Sequence, residues 1–165
     1  MKRDYRLVLK KLSEAHGSTM LSNFGDADPW QTLIATILSA RSRDETTEAV
    51  ARNLFQKYPT CRSLAAARVR TIEMLIKKTG FYKTKARRII EVSRLVMKRH
   101  DGRVPDQLDA LLALPGVGRK TAACVLVFAF GKPAIPVDTH VHRISNRLGW
   151  VKTKNPEETE QRLMK

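Results

Sequence analysis

The sequence predicts an all-α protein, and three observations carry that prediction. Apolar residues recur at helical spacing in most segments, several helix starts carry a polar cap followed by proline or an acid, and no stretch alternates apolar and polar residues between hairpin turns. The one β-branched cluster, IPVDTHV, is short and interrupted by Pro136.

Taken in order, Leu7, Val8, Leu12 and Ala15 fall on one face of an N-terminal helix, within a segment that lacks the apolar core of a targeting signal. Asp28-Pro29-Trp30-Gln31 supplies a cap, a proline at the first helical position and a capping-box glutamine for a buried helix reaching about Ala40. Asp44 is expected to cap TTEAVARNLFQKY, which stops before Pro59, and Thr71 precedes IEMLIKK, which stops at Gly80. KTKARRIIEVSRLVMKRH repeats apolar residues at Ile89, Ile90, Val92, Leu95 and Val96. PDQLDALLALPG is helical through Leu108, Leu111 and Leu112, and RKTAACVLVFAF follows it after a glycine-rich turn. Asn155-Pro156-Glu157-Glu158 opens a last helix expected to run to Lys165, so the chain is expected to end inside a helix with more chain belonging beyond it.

At 165 residues the chain has the length of one domain, or of one large and one partial domain. Its 31 Lys and Arg against 16 Asp and Glu give a formal charge of +15, which selects a polyanionic partner, with nucleic acid ahead of an anionic membrane. Between Lys57 and Arg103 there are 14 Lys or Arg and 3 Asp or Glu, so one region carries a net +11 of that total. The longest apolar run, Ala122 to Phe130, is far short of the roughly 20 residues a spanning helix needs. The only cysteines, Cys61 and Cys124, suit buried reduced side chains better than a disulfide, and a cytoplasmic, nucleoid-associated monomer is expected.

Gly116-Val117-Gly118-Arg119-Lys120-Thr121 imitates two phosphate motifs and satisfies neither. A dinucleotide fingerprint needs glycine where Thr121 stands, a P-loop needs lysine where Arg119 stands, and both need a strand before the turn. Here the turn joins two helices. Its glycines let the backbone approach a phosphate, and the first amides of the second helix point at that phosphate with the favourable end of the helix dipole. Such a turn holds DNA backbone without reading bases.

With LPGVGRKTA followed by VDTHVHR, and with ILSARSRDE and TGFYKTKARRI upstream, the chain resembles the endonuclease III family of the helix-hairpin-helix DNA glycosylases from about Leu7 to Lys165. The resemblance implies a helical-barrel domain over 22–133 containing the helix-hairpin-helix at about 107–130, with 1–21 and 134–165 forming part of a second helical domain. It implies that Lys120 is the nucleophile and Asp138 the essential carboxylate of a bifunctional DNA glycosylase and abasic-site lyase acting on oxidised pyrimidines in duplex DNA. The lysine amine attacks the sugar when unprotonated and forms a Schiff base, and Asp138 takes its proton or stabilises cationic charge as the base leaves. From the residues alone Lys120 also suits a phosphate contact, and Asp138 suits a helix cap. A cleft with the hairpin and Lys120 on one lip and Asp138 opposite is expected.

An enzyme of this kind extrudes the target nucleotide and plugs the gap. Arg41 and Phe81 stand at the family's two wedge positions, where glutamine and leucine are usual, and Phe81 and Tyr82 precede the basic Lys83 and Lys85. His140 and His142 are two apart, the wrong spacing for a metal pair on one helical face, so His140 is expected to support local hydrogen bonding near the DNA. By resemblance, the carbonyls of Leu112, Leu114 and Val117 are positioned to hold K+ or Na+. The family's [4Fe-4S] cluster needs four cysteine thiolates, which two distant cysteines do not supply. This implies a shortened chain that keeps both catalytic residues, or a naturally short cluster-free member. Two other readings stay open: a thymine or uracil mismatch glycosylase of the same fold, and a non-catalytic DNA-binding module using the hairpin alone.

Overall fold

The computed structural model describes residues 5–15, 20–21 and 28–165. Within them lie α1 (Tyr5–Ala15), α2 (Pro29–Ser39), α3 (Asp44–Lys57), α4 (Cys61–Ala65), α5 (Val69–Leu75), α6 (Tyr82–His100), α7 (Leu108–Leu112), α8 (Arg119–Phe130), α9 (Thr139–Arg147) and α10 (Pro156–Leu163), with no strand among the described residues. The expected boundary at 21/22 lies at the edge of residues outside the described ones.

α2 is the axis of the fold because its sequence is apolar on every side, and such a helix is stable only when surrounded. Thr32 through Leu38 are all buried, and α3, α6 and α8 pack around them. Trp30 is 1% exposed, sets its ring edge-on to Phe55 at 5.4 Å, and donates its indole N–H to Ser93 Oγ at 3.2 Å, so its one polar atom is satisfied inside the core. Asp28 caps α2 through the Trp30 amide at 2.8 Å with Pro29 at the first helical position.

Several starts and stops differ from the sequence expectation by physically readable amounts. Asp44 is the first residue of α3 rather than its cap: Arg43 holds the cap position, and Asp44 and Glu45 in the first turn complement the helix dipole instead. α5 begins two residues before Thr71, at Val69, and ends at Leu75 rather than continuing to Gly80. α4 was not anticipated, although Thr60 and Ser63 form a full capping box just after Pro59, a legible signal in a five-residue helix. α10 stops at Leu163 with Met164 as its C-cap, so the expected run to Lys165 is shortened by two residues. Glu158 of that helix bonds the Lys154 amide at 2.8 Å rather than the Asn155 amide.

The N-terminal helix forms as expected, but its apolar face does not join the core. α1 buries none of its residues, and Leu7, Leu9 and Leu12 are about half exposed. Amphipathicity establishes a helix and a face but not the surface that covers it. At the other end α9 and α10 pack on each other through a polar network. Thr159 Oγ1 meets His142 Nδ1 and Thr153 Oγ1 at 2.6 Å each, and Asn146 Nδ2 bonds Thr153 Oγ1 at 2.9 Å.

Candidate active site and DNA interface

The hairpin is built as its glycines require. Gly116 has φ +71, which an L side chain adopts only with strain, and a Cβ there would also overlap the Arg88 side chain lying across it. Gly118, the N-cap of α8, has an ordinary negative φ and nothing within 4 Å of an added Cβ. The protein's own packing does not call for glycine at 118. A bare backbone there keeps the approach to the amides of α8 open.

Lys120 and Asp138 do not face each other across a cleft as expected; they touch. Lys120 Nζ lies 2.9 Å from Asp138 Oδ2, with the two side chains 54% and 31% exposed. Oδ1 of the same carboxylate accepts the amides of His140 and Val141 at 2.9 Å each, so Asp138 caps α9 with one oxygen and holds the lysine with the other. Burial opposes the charged carboxylate, but the Val141 amide, the Lys120 ammonium and the His140 amide outweigh it, and Asp138 titrates below its ordinary value. Asp138 comes to Lys120 because the irregular segment 131–138 carries the chain from the end of α8 back to its start, where the two side chains meet.

The two wedge candidates come together. Arg41 and Phe81 both have left-handed backbones, at φ 54 and 57, and the Arg41 guanidinium sits 5.3 Å from the centre of the Phe81 ring. Phe81 is 62% exposed, so it is presented rather than packed. Tyr82, by contrast, packs against the core and is not displayed with it. Lys83 is exposed beside Phe81.

Lys85 corrects the sequence reading most clearly. Expected to meet DNA, it is 5% exposed and turned inward, donating to the Leu38 carbonyl at 2.7 Å and to Ser42 Oγ at 3.0 Å. Its heptad-like position on α6 places it on the buried face with Ala86 and Ile89. Ser42 Oγ in turn accepts the Gly80 amide at 3.1 Å, and a Cβ on Gly80 would come within 2.7 Å of the Arg41 carbonyl. One buried ammonium and one close glycine therefore lash the Arg41 loop to the Phe81 loop.

Arg119 is also engaged internally. Its guanidinium meets both oxygens of Glu160, at 2.9 and 3.2 Å, and approaches Glu157 at 3.6 Å. Arg119, placed by its position in the hairpin among the DNA-binding residues, instead ties the start of α8 to α10. His140 is exposed on the first turn of α9, with Arg143 at 3.2 Å from its Nδ1, and the half-buried His142 joins the network that packs α9 on α10. Sequence spacing identified both histidines but could not tell which faced inward.

Two hollows flank the lysine. One, of about 460 Å³, lies between the hairpin and the start of α10 and includes Gly118, Lys120, Val137 and Pro156. The other, of about 290 Å³, runs from Arg41 and Phe81 past Arg88 to Gly116 and Thr121. No group of three or more His, Cys, Asp or Glu among the described residues is arranged to hold a metal ion. Cys61 and Cys124 are free and buried on different helices, and burial pushes both thiols up to about 11, the opposite of what thiolate ligation of a cluster requires. The residues present do not fit an iron-sulfur site. No helix among the described residues is long and apolar enough to cross a membrane.

Residues 34–165 match the family model of HhH-GPD superfamily base excision DNA repair proteins. Endonuclease III of Thermotoga maritima is 56% identical over 143 residues, covering 87% of this chain and 67% of that protein. Endonuclease III of Escherichia coli K12 is 40% identical over 160 residues, covering 96% of this chain and 74% of that protein. Among solved structures, a non-covalent endonuclease III–DNA complex and a trapped endonuclease III–DNA covalent intermediate each match with a TM-score of 0.82 at 38% identity, covering 99% of this chain and 77% of that chain. A thermostable thymine-DNA glycosylase matches with a TM-score of 0.73 at 27% identity, covering 87% of this chain and 75% of that chain. The fold and these likenesses define a base-excision-repair DNA glycosylase whose partner is DNA. Within that class the chain belongs to the endonuclease III family.

Proposed function

We propose that this glycosylase is bifunctional, removing oxidised pyrimidines from duplex DNA and then cutting the strand, with Lys120 as nucleophile and Asp138 as its proton acceptor. The observation that carries this reading is the 2.9 Å contact between Lys120 Nζ and Asp138 Oδ2 at the mouth of an open hairpin. A neutral amine needs a place to leave its proton, and the carboxylate already touches the nitrogen. The trapped covalent complex formed by the matched endonuclease III supports covalent chemistry on this fold.

In the proposed sequence the Lys120 nitrogen bonds to C1′ as the glycosidic bond breaks, the base leaves with the electron pair, and the amine proton passes to Asp138. The nitrogen lone pair then forms a protonated imine as the C1′–O4′ bond breaks and O4′ takes the proton held by Asp138. The C2′ proton passes to water as the C3′–O bond breaks and the 3′ phosphate departs, cutting the strand 3′ to the lesion, and water hydrolyses the imine to free Lys120. The base is extruded past Arg41 and Phe81, which fill the gap by stacking. The exposed Phe81 ring under a guanidinium supports that role. Lys83 and the amides of Gly116 and Gly118 serve as backbone contacts, which the empty space beside Gly118 favours, while the Val117 amide between them is taken by the Leu114 carbonyl.

The carbonyls of Leu112, Leu114 and Val117 suit a monovalent cation, because they lie where α7 ends at Leu112 and the chain turns through the hairpin, while the amides of Ala113 and Leu114 are spent on Asp109 and Leu111. Leu114 O receives the Val117 amide at 3.2 Å and keeps one lone pair. A bound cation there would brace the hairpin against a phosphate. The enzyme is proposed to act as a monomer.

Borohydride trapping on a duplex with one abasic site tests the reading. A covalent adduct from the wild-type chain that disappears in Lys120→Ala is the expected result. No adduct from folded wild-type protein would leave the non-catalytic hairpin module standing. The match to a thymine-DNA glycosylase gives the second reading its support, and excision of a mismatched thymine in preference to an oxidised pyrimidine would select it.

A further inference from the structure

The hollow between the wedge pair and the hairpin carries three cationic side chains, Arg41, Lys85 and Arg88, and no carboxylate among its lining residues. Lys85 is occupied by Leu38 and Ser42, and Arg41 lies on Phe81. Arg88 is different. It projects from α6 across Gly116 so closely that Cδ, Nε and Cζ would all collide with a Cβ there, yet it has neither a hydrogen bond nor an ion pair among the described residues. Three other arginines show what such a side chain takes when an acceptor is near: Arg52 takes Glu48, Arg94 takes the Ala65 carbonyl, and Arg119 takes Glu160. A half-buried guanidinium carries five donors and no acceptor, and leaving it without a partner is costly unless a ligand supplies one.

We propose that Arg88 is a DNA phosphate-binding residue, completing with the hairpin backbone a site for one phosphodiester group of the bound duplex. The hollow is open, its polar lining is made of donors, and the planar fork of a guanidinium matches two phosphate oxygens. A base edge would need acceptors as well as donors around it, and this lining offers mainly donors: Arg41, Thr84, Arg88 and Thr121, of which only the threonines can also accept. Gly116 acquires a second reason to be glycine, since it gives the arginine a flat floor. The proposal rests on DNA as the partner and does not require the Lys120 chemistry.

The test is fluorescence anisotropy with a duplex carrying an uncleavable tetrahydrofuran abasic analogue, repeated over a salt series with the wild type, Arg88→Gln and Arg88→Lys. Arg88→Gln is expected to bind on the order of tenfold more weakly. Its slope of log K against log salt should be shallower by about 0.9, the signature of one lost phosphate contact. Arg88→Lys should keep the slope. The loss should be the same for analogue, lesion and intact duplexes. An unchanged slope and affinity in a variant of native melting temperature overturns the proposal, and so does a loss confined to one damaged base, which would make Arg88 a reader of the base. Borohydride trapping with the wild type separates the two claims: failure to trap removes the lyase reading and leaves the salt slopes to decide the fate of Arg88.

Discussion

Asp138 does two jobs with its two oxygens, so its substitutions separate structure from chemistry. Asparagine keeps an acceptor for the His140 and Val141 amides but loses the charge that Lys120 meets. Asp138→Asn is therefore expected to stay folded and to lose trapping, whereas Asp138→Ala should also lose about 1 kcal/mol of stability with the cap. The pH dependence has a definite sign. Asp138 titrates below its ordinary 3.8 in the folded chain, so the unfolded chain takes up the proton first as pH falls. The stability this charge contributes is full above that ordinary value and is lost as pH falls through the lower folded value. Melting curves of wild type and Asp138→Asn should keep a constant separation at neutral pH and converge in acid; parallel curves into strong acid would contradict the assignment.

At the scale of elements, the sequence announced α6 but not which of its lysines faced inward. Lys83, Lys85 and Arg87 look alike as a basic run, and only the packing of α6 against the α2–α3 loop separates Lys85 from its neighbours. Burial pushes its ammonium down from 10.5 to about 8. The native state therefore releases this proton before the unfolded chain does, and wild-type stability should gain on Lys85→Met as pH rises from about 8 toward 10.5. Below that window the burial cost is present in full. Thermal melts of the two proteins across the window check this, and a stability difference that does not change with pH would refute it. The wedge loops that Lys85 joins were legible as positions, because Arg41 and Phe81 follow recognisable segments. Their stacking was not, since it depends on two left-handed residues 40 positions apart in the chain.

For the molecule as a whole, the all-α class and the hairpin were legible because periodicity, glycine spacing and caps are local signals, whereas Lys120 and Asp138 were joined only through the family resemblance, their residue types alone suiting a phosphate contact and a helix cap equally. The Arg119–Glu160 tether was not legible, because it joins residues 41 apart. Arg119 was assigned to DNA on its place in the hairpin, and the structure gives its charge to α10 instead, with the Glu160 hydrogen bond holding the guanidinium above its ordinary value. A double-mutant cycle with Arg119→Ala and Glu160→Ala is expected to give a coupling of about 1–2 kcal/mol in folding stability. The salt slope of DNA binding should be the same in Arg119→Ala as in the wild type, in contrast to Arg88→Gln. A shallower slope would return Arg119 to the DNA interface.

The two buried thiols bear on where such a protein can work. Base oxidation happens where peroxide and related oxidants are present, and those oxidants attack cysteine chiefly as thiolate. Cys61 and Cys124, both buried and both raised to about 11, present almost none at neutral pH, and the proposed nucleophile is a nitrogen. An oxidant thus finds almost no thiolate to attack at either cysteine, Cys124 on the helix of Lys120 included, and on the proposed lysine mechanism activity should outlast exposure to peroxide.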